Sequence, residues 1–204
     1  MIAIIDYGSG NVGAIANIYK QLKIAHCITG DLGELARADR YVLPGVGAFD
    51  TTMSYLRGSG MVDLLNEQVL VNKKKVMGIC VGMQILADSS EEGALPGLGW
   101  IPGKVCKIDA SNLPDAPRLP HMGWNSITLK REHAIFDEVD CHRGFYFLHS
   151  YFFDAAQPDD VITTVDYGSE LVCGVMHDNV IGLQFHPEKS HSNGMAIFRN
   201  FAGV

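Results

Sequence analysis

Residues 76–84 read VMGICVGMQ, a short apolar run that continues through a glycine-flanked cysteine. Such a run is typical of a strand that is buried on both faces of a parallel sheet. Gly78 and Gly82 each lie two positions from Cys80, which is the spacing of the sharp strand-to-helix turn in G-x-S-x-G enzymes. The start of a helix at this point favours the thiolate, the nucleophilic form of cysteine. On this stretch alone, a reactive Cys80 and a buried structural cysteine both remain open.

A strand followed by a helix is also predicted at the start of the chain. Residues 2–5 are apolar and predict the first strand. After a glycine-rich turn, apolar residues recur at helical spacing on one face, namely Ile15, Ile18, Tyr19 and Leu22. The remaining elements predicted for the first half are strands at 25–29 and 41–43, a helix around 61–65 that is closed by lysines 73–75, and a helix over 82–87.

The second half of the chain contains many short strand-like segments instead. They are separated by turn residues and cover residues 105–108, 126–129, 144–149, 161–165, 171–177 and 180–185. A final helix is predicted over residues 193–202. Together the two halves predict one α/β domain over residues 1–204, with three layers, a largely parallel central sheet and an added antiparallel portion.

Composition and charge exclude several classes of protein. The 204 residues are 47% hydrophobic and 19% charged, so the chain can bury a core and is not intrinsically disordered. A net charge of −7 offers no electrostatic basis for binding nucleic acid or an anionic membrane surface. No apolar run reaches the roughly 18 residues that a membrane span needs. The first residues lack a basic lead-in, which predicts a cytoplasmic protein without a signal peptide.

Gly8, Gly10 and Gly13 match the G-x-G-x-x-G pattern of dinucleotide-binding turns. Asp31 follows near the distance at which such folds place a ribose-binding acid. However, the carboxylate of Asp6, directly after the first strand, would repel a pyrophosphate. The favoured interpretation is a tight turn that needs residues with positive φ. A non-catalytic NAD-binding or regulatory domain is the alternative function.

A histidine and a glutamate at the end of the last predicted strand supply what a cysteine nucleophile needs. His186 can take the thiol proton and later give one to the leaving amine, and Glu188 can orient the imidazole. Two residues apart in an extended segment, both side chains project on the same side. With Cys80 in the turn described above, they predict a Cys-His-Glu catalytic triad.

The loop LPGVG, residues 43–47, follows a predicted strand and carries two glycines. It is either a plain turn or a loop whose backbone N–H groups face a developing oxyanion. Enzymes with a nucleophile turn take one such donor from the residue after the nucleophile, here Val81, and a second from a neighbouring loop. The triad favours the second interpretation.

The histidine and cysteine patterns argue against a metal site and a disulfide framework. Although His191 lies near His186 and Glu188 in sequence, there is no HExxH motif and no cysteine–histidine set at ligand spacing. Five cysteines at irregular spacing, without a CxxC pair, are expected to be free thiols. We therefore predict no bound metal.

The nucleophile and histidine motifs together resemble those of the class I, triad-type glutamine amidotransferases. Within that family the chain is similar to the glutaminase subunits of imidazole glycerol phosphate synthases, from histidine biosynthesis. The similarity covers essentially the whole chain. It lies in the segments IDYGSGN (5–11), LPGVGAF (43–49), GICVGMQ (78–84), HMGWN (121–125), HSY (149–151) and FHPEKS (185–190).

The resemblance implies a three-layer α/β/α, flavodoxin-like amidotransferase fold and a glutaminase reaction. Cys80 would attack the side-chain amide of glutamine, giving ammonia and a γ-glutamyl thioester that water then hydrolyses to glutamate. His186 would act as base and then as acid, oriented by Glu188. The amide groups of Val81 and of a rearranged Val46 would form the oxyanion hole. The residues that match positions holding the α-amino and carboxylate groups of glutamine are Gly47, Gln84, Ser150 and Tyr151.

The resemblance also implies a partner but no cofactor. Ammonia would pass to a (βα)8-barrel cyclase subunit in a heterodimer, which makes imidazole glycerol phosphate and an aminoimidazole carboxamide ribotide. Asn11, Trp124 and Lys189 match interface positions, and the alternative for Trp124 is a half-buried aromatic residue. The isolated chain is expected to be a poor glutaminase, because the Val46 peptide would need the partner to turn its N–H inward. The glutaminase of pyridoxal phosphate or anthranilate synthesis is the alternative within the family.

Overall fold

The computed structural model describes residues 1–112 and 119–203. The strands in this part of the chain are β1 Ile2–Ile5, β2 His26–Thr29, β3 Arg40–Gly45, β4 Lys75–Cys80, β5 Ser89–Ser90, β6 Gly103–Lys107, β7 His121–Asn125, β8 Thr128–Leu129, β9 Phe145–His149, β10 Tyr151–Ala155, β11 Val161–Asp166, β12 Glu170–His177 and β13 Val180–Leu183. The α-helices are α1 Val12–Gln21, α2 Leu32–Arg37, α3 Phe49–Gly58, α4 Val62–Asn66, α5 Val81–Gln84 and α6 His191–Gly203.

The central sheet has eight strands in the order β2-β1-β3-β4-β13-β12-β11-β8. The first five strands in this order pair in parallel, and the last three extend the sheet in antiparallel pairing. Two small sheets, β10-β6-β5 and β7-β9, accompany it. The predicted α/β fold with a largely parallel sheet and an antiparallel portion is therefore confirmed.

Helices pack on the sheet in two groups. Helix α1 packs against α6, where the rings of Tyr19 and Phe198 meet edge to face with centroids 5.2 Å apart. Helix α3 packs against α5, which also contacts β3 and β13. All four residues of β1 are buried, as expected for a parallel strand that is covered on both faces. The apolar run that identified β4 is buried for the same reason.

The helix predictions for the first half are wrong in detail. The patterns miss α2 and α3 altogether. The helix expected to be closed by lysines 73–75 ends earlier, because α4 passes into a π-helical turn at Glu67–Val71 and Lys75 already belongs to β4. The helix expected over 82–87 is α5, which ends at Gln84. It stops there because the carbonyls of Ile85 and Leu86 accept backbone N–H groups from a returning loop.

Three strands are also missed, namely β5, β7 and β10. Strand β7 pairs antiparallel with β9, and this pairing places His121 opposite His149. The local sequence pattern is a poor predictor of a two-stranded ribbon of this kind, because each strand forms only where its partner strand lies. Among the described residues, no helix has the length and apolar character needed to cross a membrane.

Candidate active site

Cys80 lies at the carboxyl end of β4, where the chain turns into α5. Its backbone has φ 56° and ψ −115°, a conformation that costs a non-glycine residue about 1–3 kcal/mol. The adjoining glycines make the turn sterically feasible. A Cβ on Gly82 would overlap the carbonyl group of Leu43, and one on Gly78 would lie 2.5 Å from the carbonyl oxygen of Gly82. The turn therefore closes only with glycine at both positions.

His186 and Glu188 approach Cys80 from the segment that follows β13. Nδ1 of His186 lies 2.9 Å from Oε1 of Glu188 and donates its hydrogen to the carboxylate. The two side chains are 4% and 2% exposed. The expectation of an extended segment is wrong here, because Pro187–Lys189 forms a 3-10 turn. The hydroxyl of Ser190 donates to the His186 carbonyl and holds this turn in place.

The charge of His186 results from two opposing effects. Burial lowers the pKa of the imidazole, but hydrogen bonds with Cys80 and Glu188, together with the charges of those groups, raise it to about 10. The imidazole is therefore protonated at neutral pH. An imidazolium beside the sulfur atom is the arrangement in which cysteine–histidine enzymes hold a nucleophilic thiolate.

Cys80 and His186 border a cavity of about 320 Å³. This volume lies in the range of small-molecule sites. The cavity is also bordered by every residue to which the resemblance assigns an oxyanion or substrate contact: Val46, Gly47, Val81, Gln84, Ser150 and Tyr151. The fold thus brings these predicted residues together around the thiol.

Comparison with known proteins identifies the family. The family model for class I glutamine amidotransferases matches residues 3–203. Imidazole glycerol phosphate synthase subunit HisH of Bdellovibrio bacteriovorus is 47% identical and that of Leptospira interrogans 46%, each with 100% of both chains covered. Subunit HisH 2 of Pseudomonas aeruginosa is 44% identical, with 98% of both chains covered. The chain belongs to the HisH family of class I glutamine amidotransferases.

Solved structures share the fold of this HisH-family chain at low sequence identity. A glutamine amidotransferase aligns with a TM-score of 0.73 and 18% identity over 100% of both chains. A glutamine amidotransferase from Thermotoga maritima aligns with a TM-score of 0.64 and 19% identity, over 92% of this chain and 75% of that one. At these identities the likeness concerns the fold alone.

In this member of the HisH family, Ser9 holds the backbone of Val46. The N–H of Val46 donates to Oγ of Ser9 at 3.1 Å, and the same hydroxyl lies 3.1 Å from the Val46 carbonyl oxygen, to which it donates. The hydroxyl of Tyr7 donates to the neighbouring carbonyl of Pro44. The Val46 amide is therefore already engaged, and it can serve an oxyanion only after a rearrangement.

The glycine-rich turn of this HisH-family chain has steric requirements of its own. Gly8 and Gly10 have φ of 90° and 96°, and a Cβ on Gly10 would lie 2.6 Å from Cβ of Pro44. A Cβ on Gly13 would meet nothing within 4 Å, whereas a dinucleotide fingerprint uses its third glycine for close packing of helix and strand. These contacts support the tight-turn interpretation and leave no argument for the NAD-binding alternative.

The amide of Gln84 has a fixed orientation in the HisH-family cavity. Its Nε2 donates to the Tyr151 carbonyl at 3.2 Å and to Oε1 of Gln184 at 3.1 Å. Because a carbonyl oxygen only accepts hydrogen bonds, the first of these contacts fixes which end of the amide is nitrogen. Oε1 of Gln84 is thus left as an acceptor for a ligand in the cavity.

Three groups that border the cavity or lie beside the thiol are missed by the sequence patterns. Glu92 borders the cavity, and its Oε2 accepts the N–H of Phe49 at 2.8 Å. The carbonyl oxygen of Leu148 lies 3.9 Å from Sγ of Cys80, and Nε2 of Gln184 lies 3.8 Å from it. Only Gln184 has a signal in the sequence, since it precedes the expected base by two residues. A loop glutamate and a backbone carbonyl carry no such signal.

The residues expected at a subunit interface lie at the surface of this HisH-family chain. Asn11 and Lys189 are exposed. Trp124 is 43% exposed and stacks on His191 with ring centroids 5.5 Å apart. The ammonium group of Lys189 lies 5.4 Å from the centroid of the Tyr146 ring.

Proposed function

We propose that this chain is the glutaminase subunit of an imidazole glycerol phosphate synthase, and that residues 1–204 form one amidotransferase domain. The observation that carries the proposal is the arrangement of Cys80, His186 and Glu188 at a cavity of about 320 Å³. Acyl transfer by a cysteine requires a thiol, a protonated imidazole beside it and a carboxylate that orients the imidazole.

In the proposed reaction, the Cys80 sulfur attacks the side-chain carbonyl carbon of glutamine. The imidazolium of His186 gives its proton to the departing nitrogen, so that ammonia leaves and a γ-glutamyl thioester remains. The neutral imidazole then takes a proton from water, and the resulting hydroxide attacks the thioester. Glutamate and the thiolate are released, and the proton stays on His186 for the next turnover. Glu188 keeps Nδ1 of His186 protonated throughout, so Nε2 carries out the proton transfers.

The two ends of the substrate find complementary groups in the cavity. The carboxylate of Glu92 and the free acceptor of Gln84 suit the α-ammonium group of glutamine. Gly47 and the Ser150–Tyr151 segment also border the cavity, and in the proposal they hold the α-carboxylate of glutamine. The N–H of Val81 lies directly after the nucleophile, which is the position of an oxyanion donor in enzymes with this turn.

Ammonia is the useful product of this reaction, and its acceptor binds on another chain in the proposal. The partner is a (βα)8-barrel cyclase subunit that uses ammonia to form imidazole glycerol phosphate and an aminoimidazole carboxamide ribotide. Exposed apolar side chains suit such a partner: Met122 and Trp124, two residues apart on β7, are 62% and 43% exposed, and Val46 at the cavity is 47% exposed. The proposed heterodimer works in the cytoplasm and needs no cofactor for glutamine hydrolysis.

Glutamate release from glutamine by the purified chain tests the proposed function. The assay is run with and without the cyclase subunit and its nucleotide ligand, and we expect strong stimulation by the pair. If the cyclase has no effect on an active chain, the chain serves a different synthase or acts alone. If glutamate release is absent under both conditions, the chain is not a glutaminase.

Replacing Ser9 with alanine is expected to raise the glutaminase activity of the isolated chain. The substitution removes the hydrogen bond that engages the Val46 N–H. The peptide can then turn more easily into the orientation in which this N–H faces the oxyanion. A hydrogen bond of this kind contributes about 1 kcal/mol, and we therefore expect an increase of about fivefold. In the presence of the cyclase the increase should vanish, because the partner already turns the peptide.

Ser59→Ala is the matched control for that experiment. The hydroxyl of Ser59 also donates to a backbone carbonyl, that of Leu56, but it lies at the end of α3. Unchanged activity in Ser59→Ala with a rise in Ser9→Ala would assign the effect to Val46. Wild-type activity of isolated Ser9→Ala would show that Ser9 does not restrain the oxyanion donor.

A further inference from the structure

Two buried histidines face each other at the active-site cavity and take no step in the mechanism above. His121 on β7 and His149 on β9 are 3% and 6% exposed. Nδ1 of His121 lies 3.0 Å from Nε2 of His149. The His121 ring is stacked between Phe147 and Tyr167, with centroid distances of 4.6 Å and 4.1 Å. The plane of this imidazole is therefore held on both sides.

The direction of every hydrogen bond around this histidine pair is determined. Nδ1 of His149 lies 2.8 Å from the Tyr151 carbonyl, which can only accept, so Nδ1 carries the hydrogen. In a neutral ring Nε2 must then accept, and the donor is Nδ1 of His121. Nε2 of His121 is consequently an acceptor, and the side-chain amide of Asn125 lies 3.3 Å from it.

Both rings are neutral in the folded chain. Burial lowers the pKa of His121 to about 4. Burial also lowers the pKa of His149, which falls to about 3 although its hydrogen bond to Tyr151 acts in the opposite direction. Each neutral imidazole has one donor and one acceptor, so only one tautomer of each satisfies the arrangement.

The chain of hydrogen bonds continues from Tyr151 to the nucleophile. The Tyr151 carbonyl accepts from Gln84 as well as from His149, and Gln84 donates its second hydrogen to Gln184. The amide nitrogen of Gln184 lies 3.8 Å from Sγ of Cys80. One directed network thus runs from Asn125, next to the exposed Trp124, to the sulfur atom.

We propose that His121 and His149 are positioning residues of the glutaminase site, which fix the Tyr151 carbonyl and, through Gln84 and Gln184, the glutamine pocket and the Cys80 thiol. This inference rests on the proposed function. Neither histidine is a catalytic residue here, since both nitrogens of each ring are used within the network. His149 borders the cavity, but it offers no polar atom to a substrate.

Two substitutions at position 121 separate hydrogen bonding from packing. His121→Phe keeps a flat ring between Phe147 and Tyr167 but removes both nitrogens. His121→Asn loses the ring and retains a donor near the position of Nδ1. In the complex with the cyclase, we expect His121→Phe to raise KM for glutamine about tenfold with kcat within about threefold, and His121→Asn to stay within about threefold of the wild-type KM. Equal KM values for the two variants would overturn the proposal.

A second readout does not depend on glutaminase activity. The rate at which iodoacetamide alkylates Cys80, followed by peptide mass spectrometry, reports the placement of the thiol. We expect this rate to change at least about threefold in His121→Phe and to return to the wild-type value in His121→Asn. The alkylation rates of Cys27 and Cys106 should be the same in all three proteins. If the wild-type chain hydrolyses no glutamine, the proposed function fails, and the alkylation rates still test the network. Wild-type alkylation of Cys80 in His121→Phe would count against it.

Asn125→Asp provides a test that leaves both histidines intact. It replaces a donor with an acceptor at the far end of the network, so His121 must turn its hydrogen towards position 125 and can no longer donate to His149 as a neutral ring. We expect a rise in KM of about fivefold. His26→Phe is the control, because Nδ1 of His26, on the remote strand β2, also donates to a backbone carbonyl, that of Ile24 at 2.8 Å. A wild-type KM in folded Asn125→Asp, or the same rise in His26→Phe, would refute the positioning role.

Discussion

Replacing Cys80 with alanine is expected to abolish glutamine-dependent synthesis by the complex while ammonia-dependent synthesis survives. The substitution removes the sulfur that forms the thioester in the proposed reaction, so glutamate release should fall at least about 10⁴-fold. Ammonia supplied at high concentration bypasses the glutaminase and reaches the cyclase directly. The two rates are measured on the same preparation, with either glutamine or an ammonium salt as nitrogen source.

Cys27→Ala is the control for this experiment. Cys27 is also a free cysteine, but it is only partly buried and lies on the edge strand β2, outside the lining of the cavity. The complex with the Cys27→Ala variant should retain both the glutamine-dependent and the ammonia-dependent activity. Loss of both activities in Cys80→Ala would mean that the change damages the fold or the subunit contact. Survival of glutamine hydrolysis would mean that another residue is the nucleophile.

The parts of the site that could be predicted from sequence are those with short-range causes. The turn at Cys80 needs glycine on both sides, and the steric reason lies within a few residues. His186 and Glu188 are two residues apart, so their contact is almost a local property, even though the turn between them differs from the extended form expected. The parallel strands could also be predicted, because a strand that is buried on both faces has a continuous apolar run in the sequence.

The parts that could not be predicted arise from contacts between distant segments. Gln84 and Gln184 are 100 residues apart in sequence, and His121 and His149 are 28 apart. In the sequence alone, nothing distinguishes any of these four residues from an ordinary polar residue. Their directions become fixed only when β7 pairs with β9 and brings the two rings together. The contact between Ser9 and Val46 is of the same kind, since it joins two loops at the ends of different strands.

Replacing Glu188 with glutamine is expected to lower kcat for glutamine hydrolysis about 10²-fold or more. The variant keeps the size of the side chain and an oxygen that can accept the Nδ1 hydrogen of His186, so the imidazole retains much of its orientation. It loses the negative charge that favours the imidazolium. The kcat of the complex is measured at saturating glutamine, so that a change in substrate binding does not affect the measured rate.

The pH dependence of the same variant has a predictable sign. In the wild-type chain, burial lowers the pKa of His186, but Cys80 and Glu188 outweigh it and raise the pKa to about 10. The proton on His186 is therefore kept until the pH approaches that value, and kcat/KM should fall as the pH passes through it. With one of the raising interactions removed, the pKa of His186 decreases. The alkaline limb of the profile in Glu188→Gln should accordingly move to lower pH.

Asp160→Asn separates this effect from a general response to losing a buried carboxylate. Asp160 contacts Nδ1 of His177 at 2.9 Å, as Glu188 contacts His186, and in both pairs the second carboxylate oxygen is buried without a hydrogen-bond partner. Each substitution thus removes a carboxylate that faces the Nδ1 atom of a histidine, one in the triad and one outside it. Only Glu188→Gln should lower kcat and shift the alkaline limb. If both do so, or if Glu188→Gln keeps the wild-type profile, the carboxylate does not act through the proton on His186, and the triad reduces to cysteine and histidine.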